Sequence, residues 1–258
     1  MGSRQARPPV SGKSPEVSGR SPEVAAVIFD WGGTLTPWHD IDFTGEAEAL
    51  ARAVVAAEGD PAHHAALLRA AADIAWGRSR DHQQSATLAW LFAEAGLDHD
   101  PALLHAYQEF WEPHTRTDPE VAPVWRTLRE RGIRVGVLSN TLWPREWHRA
   151  FFARDGVLDL MDGDVYTSEV PWTKPSPLAF RAAMAAVGVD DPAACVYVGD
   201  RLFDDVWGAQ NAGMRAIHVP HSRIPRGQIG HAEGRPDAVA HRLSDIPDIV
   251  DGWSHPQG

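Results

Sequence analysis

The sequence predicts an α/β protein with a parallel sheet at its core and a helical module set into the chain after the first strand. Three observations carry that expectation. Short apolar runs recur and stop at a polar residue. Helical stretches separate the later runs, an alternation that gives a parallel sheet with right-handed crossovers, the Rossmann-like plan. About a hundred residues separate the first run from the second, whereas an ordinary βα link has roughly 2–6.

Taken in order, residues 1–22 are rich in Ser, Pro, Gly and Arg and contain a tandem repeat, GKSPEVS followed by GRSPEVA. Without an apolar period they cannot offset their ordering entropy, so a disordered tail is expected. The first strand is Val24–Phe29, ending at Asp30. Asp60-Pro61, Asp100-Pro101 and Asp118-Pro119 then each offer an N-cap acid followed by proline at the first helical position. Leu88, Leu91, Phe92 and Ala95 share one helical face, as do Leu103, Tyr107, Phe110 and Trp111. A helix over about 119–131 leads into the second strand, Ile133–Leu138, which ends at Ser139-Asn140. Strands follow at Ala194–Val198, ending at Gly199-Asp200, and at Arg215–Val219, with helices about 144–154, 176–187 and 203–212. The expected division is a core of residues 23–39 and 117–258 and a helical module of residues 40–116.

Composition narrows the function. A chain of 258 residues with 43% hydrophobic and 23% charged residues is that of a folded protein. A net charge of −11 argues against nucleic acid or an anionic membrane as partner. No apolar run reaches the length of a membrane span, and no signal peptide is evident at the N-terminus. One cysteine, Cys195, excludes a disulfide framework and points to the cytoplasm. The 24 basic residues include two lysines, Lys13 and Lys174. A lysine retained where arginine is otherwise used throughout suggests a task that arginine cannot perform.

Four segments line up at predicted strand ends or at a helix start: Asp30-Trp31-Gly32-Gly33-Thr34-Leu35, Leu138-Ser139-Asn140, Thr173-Lys174-Pro175-Ser176-Pro177, and Val198-Gly199-Asp200 through Asp204-Asp205-Val206. In that order and spacing the chain resembles the haloacid dehalogenase-like hydrolases over about residues 24–220. The helical module then stands where those proteins carry a cap. A carboxylate can attack phosphorus when a cation and positive groups offset the repulsion between anions. The resemblance implies a phosphatase with Asp30 as nucleophile and Lys174 neutralising the reacting groups. It further implies Mg²⁺ held by Asp30, Asp200 and the Gly32 carbonyl, with Asp205, or less favourably Asp204, supporting the metal. Ser139, Asn140 and Gly33 would hold the phosphoryl group of a small phosphorylated metabolite.

One departure stands out. Phosphatases of this kind mostly carry a second aspartate two residues after the nucleophile, as proton donor, and here Gly32 occupies that position. His39, Asp40 and Asp42 are the nearby candidates for its task, and good leaving groups (acyl, aryl or anomeric phosphates) are expected to be preferred. A phosphonate-cleaving relative would need a cap lysine, which residues 40–116 lack. A haloacid dehalogenase would share Ser139-Asn140 but has no use for Asp200. A binding module with a vestigial site is the third reading, against which the four retained residues Asp30, Lys174, Asp200 and Asp205 speak.

The cap region 44–118 holds twelve acids against five arginines, which disfavours polyanionic substrates. Trp31 and Trp172 are candidates to line the pocket, with aromatic packing between cap helices and core as the alternative, and Arg78 and Arg80 are candidate substrate contacts. His63-His64, about 100° apart on a helix, are read as surface residues.

Overall fold

A computed structural model of the chain describes residues 23–38, 41–55, 59–223, 231 and 233–254. The expected tail, 1–22, and His39 and Asp40 lie outside the described residues. Six strands, β1 (Ala26–Phe29), β2 (Arg134–Ser139), β3 (Gly163–Tyr166), β4 (Cys195–Gly199), β5 (Arg215–His218) and β6 (Ala238–Val239), form one sheet in the order β3-β2-β1-β4-β5-β6. Every pairing is parallel. From β1 the chain crosses first to β2 on one side and later to β4 on the other. The carboxyl ends of β1 and β4 therefore border the topological switch point, the crevice where open α/β sheets bind ligands.

The apolar run of β1 is buried on both faces because helices cover both. Val27 and Phe29 belong to the cluster that includes Trp125 and Leu128 of α5 (Val121–Glu130), Phe152 of α6 (Arg145–Arg154) and Val250 of α9 (Ile246–Ser254). Ala26 and Ile28 point the other way, into a cluster with Phe180 and Met184 of α7 (Pro177–Ala186) and Ala209 of α8 (Gly208–Asn211). This is the two-residue alternation of a strand.

Among the described residues four α-helices lie between β1 and α5: α1 (Phe43–Ala51), α2 (Pro61–His82), α3 (Leu88–Glu94) and α4 (His105–Trp111). The Asp60 side chain accepts from His63 N–H at 2.7 Å and Pro61 opens α2, so the acid-proline signal marks a true helix start. Asp100 caps only a short 3₁₀ turn. Asp118 stands before α5, holding the Glu120 N–H at 2.8 Å, and the helix proper begins at Val121. The Asp118 N–H donates to the Leu35 carbonyl at 2.8 Å, so the chain returns to the sheet beside the loop from which it left.

Three features depart from the expected elements. Strand β3 was not anticipated, since Gly163-Asp164 breaks its apolar character. Asp164 is buried there because Arg145 and Arg149 of α6 reach it at 2.6 and 3.2 Å. The short edge strand β6 was likewise not anticipated. The helix expected over 203–212 opens as a wide π-helical turn, Leu202–Trp207, before α8. Asp205 within that turn accepts the Arg201 N–H at 2.8 Å and is thereby turned inward. No helix of the described residues is long and apolar enough to cross a membrane.

Candidate active site

Asp30 continues β1 by one residue, its N–H donating to the Val198 carbonyl of β4 at 2.8 Å. The next six residues curl tightly, with the N–H groups of Leu35 and Thr36 both returning to the Trp31 carbonyl. Thr34 is carried back over the strand end, where its hydroxyl donates to Asp30 Oδ2 at 3.2 Å. Gly33 sits at φ +91°, and a Cβ there would lie 2.3 Å from Asp200 Oδ2. Only glycine lets these two loops approach so closely.

Lys174 is buried, with 3% of its side chain exposed, and its ammonium uses its three donors on three acceptors. They are Asp30 Oδ1 at 2.6 Å, Asp205 Oδ1 at 2.6 Å and the Tyr197 hydroxyl at 2.9 Å. The Tyr197 hydroxyl in turn donates to the Leu138 carbonyl at 2.8 Å. A compact ammonium can meet three acceptors in tetrahedral directions, which a planar guanidinium cannot. That explains a lysine here in an arginine-rich chain. Burial works against its charge, but the carboxylates of Asp205 and Asp30 outweigh burial and hold the ammonium protonated well above its ordinary range.

Asp30, Asp200 and Asp205 are all buried, and each offers an oxygen within 4.8 Å of the others. Asp205 spends Oδ1 on Lys174 and Oδ2 on the Arg201 N–H. Neither oxygen of Asp200 has a hydrogen-bond partner. Arg201 Nε stands 3.7 Å from Asp200 Oδ2, too far for a hydrogen bond. A buried carboxylate without a hydrogen-bond donor is costly, and a divalent cation with a preference for oxygen is the group that removes the cost. The residues present therefore fit Mg²⁺. Burial pushes the Asp30 carboxyl up to about 6, against the pull of Lys174 and with Asp205 adding to the rise. Burial likewise pushes Asp200 well above the carboxylate range. Asp204, on the cavity wall beside them, is pushed up to about 6 by burial and by the Asp205 charge.

These shifts carry a sign. A carboxyl raised in the fold favours the folded state when protonated, so without a cation the Asp30 contribution to stability falls as pH rises from about 4 to about 6. A bound cation reverses this by taking the protons' place. Mg²⁺ is accordingly expected to raise the melting temperature more at about pH 7.5 than at about pH 5, with proton release on titration. Equal shifts at both pH values would contradict the assignment of the cation to these carboxylates.

A cavity of about 800 Å³ opens between this sheet edge and helices α1, α2 and α4. Asp30, Gly32, Ser139, Asn140, Lys174 and Asp200 lie on its sheet side. Two of the residues expected at the phosphate have polar groups engaged within the protein. The Gly33 N–H donates to the Thr36 carbonyl at 2.9 Å, and its carbonyl accepts from Ser222 and His221, so Gly33 has nothing left for a phosphate. The Asn140 amide is engaged at both ends on the Lys174 backbone, at 2.8 and 3.1 Å, which makes it a positioning residue for the lysine. Ser139 remains on the wall, 2% exposed.

Other expectations resolve individually. Asp42 is exposed and caps α1 through the Thr44 N–H at 3.0 Å, so it is committed away from the site. Trp31 lines the cavity, but Trp172 is exposed and lines a separate shallow pocket together with Arg78. Arg80 reaches the cavity wall while pairing with Asp81 at 2.8 Å. His63 is exposed but His64 is buried, since a step of about 100° turns one of two neighbours inward. A Cβ on Gly32 would lie 2.7 Å from the Trp38 ring, so the volume in which a side chain at position 32 would project is filled by an indole. Sequence reasoning passed over Tyr197, whose only signal is a phenol within a valine-rich strand, and Thr34, which reads as turn chemistry.

A family model described as haloacid dehalogenase-like hydrolase matches residues 24–213. Among curated proteins, the glyceraldehyde 3-phosphate phosphatase of Methanopyrus kandleri is 28% identical over 229 residues, 87% of this chain and 96% of its own length. The phospholysine phosphohistidine inorganic pyrophosphate phosphatase of Rattus norvegicus is 39% identical over 77 residues, 30% of this chain and 28% of its own length. Among solved structures, a phosphatase from Thermococcus onnurineus aligns with a TM-score of 0.58 at 22% identity, covering 89% of this chain and 99% of its own. A 2-haloacid dehalogenase from Pseudomonas syringae pv. Tomato aligns with a TM-score of 0.57 at 25% identity over the same shares.

Proposed function

The chain belongs to the haloacid dehalogenase-like hydrolases, and on that premise we propose that it is a Mg²⁺-dependent phosphatase acting on a small phosphorylated metabolite. One observation carries the choice of phosphoryl chemistry: a buried carboxylate, Asp200, stands without a hydrogen-bond donor beside Asp30 at the switch point of the sheet. Haloacid displacement gives such a group no task, whereas a metal-assisted transfer requires it. The relatives named as phosphatases support the same reading.

Asp30 attacks phosphorus as the ester P–O bond breaks and the leaving group departs, and water then hydrolyses the aspartyl-phosphate to inorganic phosphate and the free carboxylate. Asp30 and Asp200 would hold the Mg²⁺ with the Gly32 carbonyl, supported by Asp205; when bound, it offsets the charge of the phosphoryl oxygens. Lys174 lies 2.6 Å from Asp30 Oδ1 and neutralises the nucleophile as it approaches an anion. Ser139 presents its hydroxyl to a phosphoryl oxygen from the end of β2. The helices over the cavity act as a cap that excludes water while the aspartyl-phosphate forms and admits it afterwards.

No side chain at position 32 protonates the leaving group, and Trp38 occupies that volume. General acid catalysis is worth about 10²–10⁴-fold, so substrates that leave without a proton should dominate. Phosphate release from a panel of aryl, acyl and alkyl phosphates, with and without Mg²⁺ and with a 2-haloacid as control, tests this. Aryl phosphates are expected to turn over at least about 10²-fold faster than alkyl ones, and only with Mg²⁺. Metal-independent haloacid turnover, or no phosphate release at all, would overturn the proposal. Equal aryl and alkyl rates with chemistry limiting would remove the leaving-group argument alone.

A further inference from the structure

The cavity over Asp30 contains a second built feature on its helical side. Glu46 of α1 lines the wall, and its Oε1 accepts from the Tyr107 hydroxyl at 3.0 Å and from the Trp111 indole N–H at 3.3 Å. The Tyr107 hydroxyl in turn accepts from the Trp143 indole N–H at 3.0 Å. Tyr107, Trp111 and Trp143 are all buried and all line the same cavity. The three rings pack edge to face, Trp111 against Trp143 with centroids 5.2 Å apart and Tyr107 against Trp143 at 6.1 Å. Trp38 adds a further ring, 6.2 Å from Trp111.

This network fixes one oxygen of the carboxylate with neutral donors and leaves Oε2 with no donor among the described residues. Burial pushes the Glu46 carboxyl above its ordinary range, against the Tyr107 and Trp111 hydrogen bonds. Arg69, which also lines the cavity, lowers it as the weakest of the four influences and donates to the Phe43 carbonyl at 3.2 Å. Arg80, the other arginine on the helical wall, is paired with Asp81. A half-solvated carboxylate with one oxygen held by neutral donors and the other without one is complementary to a cation, whose charge meets Oε2. A substrate carboxylate would meet like charge there. A plain alkyl end would leave Oε2 unpaired.

We propose that Glu46, set among Tyr107, Trp111 and Trp143, is the specificity-determining residue for the non-phosphate end of the substrate, and that it selects an ammonium group there. The inference rests on the phosphatase reading above and deepens it. The residue could not be singled out from sequence, because an acid in the first turn of a helix serves the helix dipole equally well.

Three aryl phosphates of matched leaving group test it: 4-(2-aminoethyl)phenyl phosphate, 4-ethylphenyl phosphate and 4-(2-carboxyethyl)phenyl phosphate. The wild type is expected to prefer the amine over the neutral compound by at least about tenfold in kcat/KM, and to disfavour the carboxylate by a similar factor. In Glu46→Gln, which retains an acceptor for Tyr107 and Trp111, the amine-to-neutral ratio should fall to about one. A wild type that ranks the three equally, or prefers the carboxylate, overturns the proposal without any variant. So does a preference for the amine that survives in Glu46→Gln. Turnover of p-nitrophenyl phosphate by the wild type reports separately on hydrolysis itself, so failure of the phosphatase reading is seen as loss of all four substrates together.

Discussion

Asp30→Asn is expected to lower kcat/KM for Mg²⁺-dependent phosphate release by at least about 10³-fold while leaving the melting temperature nearly unchanged. The two halves follow from different physics. An amide oxygen is too weak a nucleophile to form the covalent intermediate, so chemistry stops. The fold, by contrast, holds Asp30 in a place that burial makes unfavourable for a charge, pushing its carboxyl up to about 6. A neutral amide of the same shape suits that place, with its carbonyl oxygen still available to Lys174 or to Thr34. Thermal melts alongside initial rates check both halves. A variant that loses activity only in proportion to lost stability would mean that Asp30 is structural, and substantial residual rate would place the nucleophile elsewhere.

Lys174→Met gives the second large effect, and here activity and stability should fall together. The methionine fills much of the lysine stem's volume but leaves Asp30 and Asp205 buried without a counter-charge. Removing one partner of a buried pair costs about 3–5 kcal/mol. The loss depends on pH in a determined direction. Without the ammonium the Asp30 carboxyl loses the pull that lowers it, the folded variant binds more protons than the unfolded chain, and its stability falls as pH rises above about 4. The deficit against wild type, measured by urea titration, should therefore be larger at about pH 8 than at about pH 5. Lys174→Arg is expected to rescue neither property, since its planar fork cannot meet Asp30, Asp205 and Tyr197 at once. A stable, active arginine variant would show that charge alone is required.

The site was legible in the sequence to the extent that it is built from strand ends. Asp30, Ser139 and Asp200 each follow an apolar run, and a parallel sheet brings the carboxyl ends of its strands to one edge. Lys174 stood out through composition, as one of two lysines in the chain. What could not be read was how each polar group is spent. Gly33 and Asn140 fit a phosphate-binding pattern by position, yet their hydrogen bonds go to Thr36, Ser222 and the Lys174 backbone. Asp204 and Asp205 are neighbours of the same type, and only the wide turn at Leu202–Trp207 sends Asp205 into the interior and leaves Asp204 on the cavity wall. Strand β3 escaped because its buried Asp164 looks polar until Arg145 and Arg149 are brought to it from α6.

By itself the sequence determined the parallel sheet, the helical segment that interrupts it and the set of acids and the lysine at one edge, because period and punctuation are local properties of a chain. The tertiary structure alone decided the partners: that the ammonium touches three acceptors, that Asp200 has no hydrogen-bond donor, and that Glu46 is set among Tyr107, Trp111 and Trp143. Those facts join residues up to 144 positions apart. The energy of a buried charge depends on what surrounds it in space, which no local pattern encodes.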